Sequence, residues 1–132
     1  MGKKRTQLAE LQLAIMDVLW DRGEATVGEV RDALNKTRSL AYTTVGTMLM
    51  KMERRDFVKK RQGDGRAHVF RPLIKREDVS RSMVSDLATR LFAGDVSEMF
   101  CHLLAECDVS REELSRLKKL IRQKEQKLKD DE

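Results

Sequence analysis

The chain has 132 residues, enough for one domain of ordinary size or for a small domain with an appendage that needs a partner to bury its apolar face. Hydrophobic residues make up 40% and charged residues 37%, with 5% aromatics and one proline, a balance that excludes disorder throughout and fits a helix-rich soluble protein. The formal charge of +5 is uneven: residues 1–50 carry +1, residues 51–76 carry +7 and residues 77–132 carry −3, so the middle of the chain is shaped for a polyanion, nucleic acid before membrane.

The N-terminus runs from Lys3, Lys4 and Arg5 straight into an amphipathic pattern without a signal-peptide core. No run approaches the roughly 20 apolar residues of a bilayer span, so no membrane insertion is expected and the expected location is cytoplasmic. Leu8, Leu11, Ile15, Val18 and Leu19 recur at spacings of three and four and predict a first helix ending near Asp21-Arg22-Gly23. Thr26 and Glu29 have the spacing of a capping box, and Val27, Val30, Ala33 and Leu34 supply the buried side of a short second helix to about Lys36.

Residues 38–52 predict a third helix whose inward stripe is Val45, Met48, Leu49 and Met52. Opposite them stand Tyr42, Thr43, Gly46, Thr47 and Met50, small or hydrogen-bonding groups where an ordinary surface helix carries Glu and Lys. A glycine inside a helix costs about 1 kcal/mol relative to alanine, so Gly46 suggests close approach to something. After Asp56 the period becomes alternating: residues 57–61 and 66–71 predict a β-hairpin whose turn is Gln62-Gly63-Asp64-Gly65, both glycines at positive φ, with Pro72 closing the second strand.

Beyond Pro72 the pattern is helical to the end. Val79, Met83, Leu87 and Leu91 mark one helix from about Arg76 to Phe92, and Gly94 breaks it. Asp95 and Glu98 open a second, through Met99, Phe100, Leu103 and Leu104. Ser110 and Glu113 cap a charged third, with Leu114, Leu117, Leu120, Ile121 and Leu128 on one side and a fraying end at residues 129–132.

Three helices followed by a basic hairpin have the order of a winged helix-turn-helix, giving a mainly α fold class with a small β wing. The expected organisation is a DNA-binding domain over residues 1–75 and a helical dimerisation region over 76–132. The third helix is the expected reading head in the major groove. Thr43, Thr44 and Thr47 can bond base edges or phosphates, Ala41 or a threonine methyl can meet a thymine methyl, and Tyr42 can donate to phosphate. Lys51, Arg54, Lys59, Lys60, Arg61, Arg66 and Arg71 would neutralise phosphates, giving affinity and salt dependence without sequence information. Lysines at 59 and 60 are also what an edge strand uses against aggregation. His68 reads as a structural strand residue.

About 57 residues after the hairpin are thin for an independent core, and pairing of two copies through the apolar stripe named above solves that. A two-fold dimer would present two reading helices about 34 to 36 Å apart and so recognise a palindromic operator in double-stranded DNA. Cys101, His102 and Cys107 form no CxxC or CxC pair and do not converge on one ion, so neither a metal nor a cofactor is expected. The chain carries no Gly-rich phosphate loop, no G-x-S-x-G and no H-E-x-x-H, so no enzyme activity is expected. Two other readings stand beside the repressor: a protein-interaction module whose winged helix binds a protein in place of DNA, against which the +7 segment argues, and a MarR-like regulator with a small-ligand pocket between its domains.

Four stretches together carry a family resemblance: Leu11-Gln-Leu-Ala-Ile-Met-Asp-Val-Leu-Trp20, Gly23-Glu-Ala-Thr-Val-Gly-Glu-Val30, Leu40-Ala-Tyr-Thr-Thr-Val45 and Gly65-Arg-Ala-His-Val-Phe-Arg-Pro72. Over roughly residues 8–125 the sequence resembles the penicillinase-repressor family, the BlaI/MecI group. The resemblance implies a homodimeric transcriptional repressor on palindromic operators, in some members released when a membrane sensor protease triggers cleavage in the dimerisation part. Cleaved members have Asn-Phe at the scissile bond, where this chain has His102-Leu103. Copper-responsive relatives carry paired C-x-C motifs near the C-terminus, and residues 108–132 here hold no cysteine, so neither release chemistry is carried over.

Overall fold

A computed structural model describes residues 8–132; Lys3, Lys4 and Arg5 lie outside the described residues. The periodic apolar positions form the expected helices. Helix α1 (Glu10–Arg22) buries Ile15, Met16 and Leu19 and ends at Gly23. Its buried polar residue, Gln12, is satisfied twice: its Oε1 accepts from the Ala9 N–H at 3.1 Å, and its Nε2 donates to Met48 Sδ at 3.5 Å.

Strand β1 (Ala25–Thr26) runs directly into helix α2 (Val27–Leu34), and Thr26 belongs to both turns of structure. The Thr26 hydroxyl accepts from the Glu29 N–H at 3.2 Å while the Glu29 carboxylate accepts from the Thr26 N–H at 2.9 Å, completing the capping box. The turn to helix α3 (Tyr42–Arg54) is held by Asn35, whose Oδ1 accepts from the Leu40 N–H at 2.9 Å. Helix α3 buries Val45, Leu49 and Met52, so the stripe at spacings of three and four faces inward as its period demands.

Strands β2 (Val58–Gln62) and β3 (His68–Pro72) form the hairpin, and the sheet is three-stranded and antiparallel in the order β1-β3-β2. The two-residue β1 is absent from the sequence reading, because it exists only through pairing of Ala25 with Phe70 and Thr26 with Val69. The hairpin turn also differs from expectation. Only Gly65 has positive φ; Gly63 is needed for space, since a Cβ there would sit 2.7 Å from Val69 Cγ2.

The chain divides into two compact units between Asp86 and Leu87, inside helix α4 (Arg76–Phe92), rather than before that helix. The cause lies at the start of α4. Val79 is 2% exposed within the winged-helix core, which corrects its assignment to a dimer face, and Met83 packs partly buried against that core. Arg76 reinforces the junction, its guanidinium 5.2 Å from the Trp20 ring centroid and 3.1 Å from Asp21 Oδ1. The second unit holds the end of α4, helix α5 (Val96–Glu106) and helix α6 (Arg111–Asp130). Asp95 and Ser110 cap α5 and α6 by accepting from the N–H groups of Glu98 and Glu113, both at 3.1 Å. Neither α5 nor α6 buries a single residue. Among the described residues no helix is long and apolar enough to cross a membrane.

Candidate nucleic-acid interface

The outward side of α3 is built as its sequence suggests. Ala41, Tyr42, Thr43, Thr44, Thr47, Met50, Lys51 and Arg54 are all exposed. Thr43, Thr44, Thr47, Met48 and Lys51 line one shallow open depression along the helix. Ala41 is the N-cap and offers no side-chain acceptor, and the first turn contains no acid. The N–H groups of Tyr42 and Thr43 and the positive end of the helix dipole are therefore left for an anion, while the Thr44 N–H donates to the Ala41 carbonyl oxygen at 3.1 Å. Gly46 is the exception and is corrected: a Cβ there would lie 3.8 Å from Val27 Cγ1, so the residue is turned toward α2 instead of outward. Tyr42 also borders α2, its Cε2 lying 3.9 Å from the position a Gly28 Cβ would take, but keeps half its surface open.

Residues directly opposite in an antiparallel pair share a face, so the register sorts the wing. Val58, Lys60 and Phe70 face the core side, while Lys59, Arg61, Val69 and Arg71 face outward. The expected cations then divide into two groups. Lys51, Arg54, Lys59, Arg66 and Arg71 make no ion pair among the described residues. Lys60 and Arg61 do. Lys60 Nζ stands 3.6 Å from Glu53 Oε1 and 3.8 Å from Met50 Sδ, its stem lying along α3. Arg61 meets Glu24 fork to fork: Nη2 donates to Oε1 at 2.6 Å and Nε to Oε2 at 3.3 Å. These bonds to Glu24, and the charge of its carboxylate, hold the Arg61 guanidinium still more firmly protonated than usual.

Glu24 and Glu53 are the residues that a reading along the chain misses. Glu24 lies 37 residues from its partner, and no local spacing announces the pair. His68 is an exposed strand residue opposite Gln62. Cys101 and Cys107 are free and exposed, and among the described residues no group of three or more metal-ligating side chains occurs.

A three-helix core with a third helix that has no side-chain cap, no acid in its first turn and a threonine-lined outer side, beside a cationic wing, is the geometry of a DNA-binding winged helix. The family model described as penicillinase repressor matches residues 8–123. The chain belongs to the penicillinase-repressor family. This family is made up of transcriptional repressors, not enzymes. A relative named transcriptional regulator BlaI, from Mycobacterium tuberculosis, is 36% identical over 121 residues, spanning 86% of this chain and 87% of that protein. The penicillinase repressor of Bacillus licheniformis is 25% identical over 119 residues, 90% of this chain and 92% of the relative. Among solved structures, the DNA-binding domain of the repressor BlaI matches with a TM-score of 0.50 at 28% identity, covering 58% of this chain and 93% of that domain.

Proposed function

We propose that this member of the penicillinase-repressor family is a homodimeric, cytoplasmic transcriptional repressor that occupies a palindromic operator with two winged helices. One observation carries the DNA contact: the outward row of α3, Tyr42, Thr43, Thr44, Thr47 and Lys51, is exposed, free of acidic residues and starts with unclaimed N–H groups. Such a row of hydroxyls and an ammonium suits a phosphate-lined groove. In this reading Thr43, Thr44 and Thr47 meet base edges, and Tyr42, Lys51, Arg54, Lys59, Arg66 and Arg71 meet phosphates.

Pairing is supported by what the second unit leaves uncovered. Leu91 at the end of α4, and Phe100, Leu104, Leu120, Ile121 and Leu128 in the two helices that bury no residue, are each about half exposed or more. Leu87, Leu103 and Leu114 are open as well, and Met99 and Leu117 are only partly covered, so these helices expose many large apolar side chains, the kind of surface that marks an interface. A second copy of the same helices covers it.

A membrane sensor protease that triggers release is the further partner that the family resemblance implies. His102 and Leu103 stand in the interior of α5, so a protease acting at that bond would first have to unwind the helix into an extended strand. The deciding experiment is a gel-shift titration on a duplex of the chain's own upstream region across a salt series. A retarded complex whose affinity falls steeply with salt is expected; absence of any complex at low salt rejects the reading.

A further inference from the structure

The fork between Glu24 and Arg61 has an unusual position. Glu24 immediately precedes β1, Arg61 lies on β2, and β3 runs between them. Strands neighbour each other at about 4.8 Å, so this pair reaches over the central strand and joins both edges of the sheet. The guanidinium is also engaged by the chain itself, Nη1 donating to the Gln62 carbonyl oxygen at 3.3 Å. Every nitrogen of Arg61 therefore has a protein acceptor, and its Nε–Nη2 edge, the one that would grip a phosphate bidentately, is occupied. β1 continues without a break into α2 through the Thr26 cap, so whatever fixes β2 relative to β1 fixes the wing relative to the helix-turn-helix.

We infer that Glu24 and Arg61 form a strap that sets the angle of the wing to α3, making both positioning residues for DNA binding, with neither touching phosphate. The inference rests on the DNA-binding reading above and deepens it. It explains an acid kept beside a DNA-binding wing, where elementary electrostatics would remove it. It also divides the basic hairpin by role: Lys59, Arg66 and Arg71 carry the charge that meets DNA, and Arg61 carries the geometry.

Strap and phosphate contact predict opposite outcomes for a charge swap. Glu24→Arg, Arg61→Glu and the double variant are compared with wild type on the upstream-region duplex and on a random duplex of equal length, with thermal melts confirming folding. The strap predicts that each single variant loses tenfold or more in affinity for the upstream duplex, and that the double variant, with the ion pair reversed and net charge unchanged, returns to within threefold of wild type. Glu24→Arg binding more tightly than wild type overturns it, as does a double variant no better than Arg61→Glu alone. A second readout is independent of any swap: Arg61→Gln leaves the slope of log affinity against log salt unchanged, whereas Arg66→Gln lowers it by about one. A drop of about one for Arg61→Gln shows phosphate contact and overturns the strap. If wild type itself fails to bind, the DNA-binding reading falls first and the strap with it.

Discussion

The indole N–H of Trp20 donates to the carbonyl oxygen of Ile74 at 2.9 Å, joining α1 to the segment that leads into α4. Together with Arg76, poised over the same ring and paired with Asp21, it makes the beginning of α4 part of the winged helix. Trp20→Phe keeps a ring under Arg76 and leaves the half-buried Ile74 carbonyl without its donor. The expected cost is about 1 kcal/mol, a fall in Tm of roughly 4 to 8 °C for a unit of this size. Circular dichroism is the suitable probe, because Trp20 is the chain's one tryptophan and fluorescence would vanish with it. An unchanged Tm would show that the bond does not couple α4 to the core.

The capping box at the start of α2 titrates. The Glu29 carboxyl is held below its ordinary value, first by the Thr26 backbone N–H, then by the Thr26 side chain, with Arg22 at 3.6 Å adding charge and slight desolvation opposing. A depressed carboxyl contributes stability that is fully present above its unfolded pKa of about 4.3 and is lost as pH falls through the lower folded value. Glu29→Gln keeps an acceptor for the Thr26 N–H and removes the titration. Wild type should exceed it at pH 7 by about 0.5 kcal/mol, small because the carboxylate is half exposed and screened. That gap should close as pH drops below about 4. Denaturant melts at pH 7, 5 and 3 measure it, and a gap constant across that range contradicts the assignment.

Legibility in the sequence followed the range of the interaction. The caps at Thr26, Asp95 and Ser110 are three-residue spacings and could be read directly, as could the inward stripes of α1 and α3. The exposed row on α3 was legible because polar residues at helical spacing opposite a stripe must face away from it. Long-range features were not. Strand β1 is a strand only because β3 lies beside it, and Arg61 loses its availability to phosphate only because Glu24 comes back to meet it. Val79 shows the same limit differently: its period says that it faces an apolar surface, and only the fold says that the surface is the winged-helix core rather than a second chain.

Gly46 offers a stability gain with a diagnostic. A Cβ placed there meets Val27 Cγ1 at 3.8 Å, ordinary van der Waals contact, while the helix interior gains alanine's propensity. Gly46→Ala should therefore stabilise the protein by about 0.5 to 1 kcal/mol. Because the new methyl points at α2, operator affinity should stay within about twofold. A loss of tenfold or more in DNA binding with intact stability would mean that the groove, not α2, needs the space.

Base reading and charge neutralisation should separate in mutants. Thr47→Ala and Thr43→Ala are expected to reduce affinity for the upstream duplex by about 1 to 3 kcal/mol at the contacted position while leaving random DNA unaffected. Arg66→Ala should weaken both duplexes alike and lower the salt slope by about one. Parallel titrations on the two duplexes decide it. Equal losses on both for the threonine variants would remove them from base contact.

Dimerisation and DNA affinity should be linked through α6. Leu114, Ile121 and Leu128 recur at intervals of seven on its exposed side, the spacing that pairs helices side by side, and Ile121 is 59% exposed. Ile121→Glu places a charge in the middle of that seam. Because the winged-helix core is built from residues up to Met83, its melting transition should survive. Sedimentation should then report a monomer, and affinity for the full operator should fall by a factor of about 10² to 10⁴, since each winged helix must find its half-site without the other holding it nearby. Affinity for an isolated half-site should be unchanged, which separates lost avidity from a damaged reading helix. A variant that remains dimeric at micromolar concentration would place the interface on other residues, and one that is monomeric yet binds the full operator as tightly as wild type would show that pairing contributes nothing to recognition.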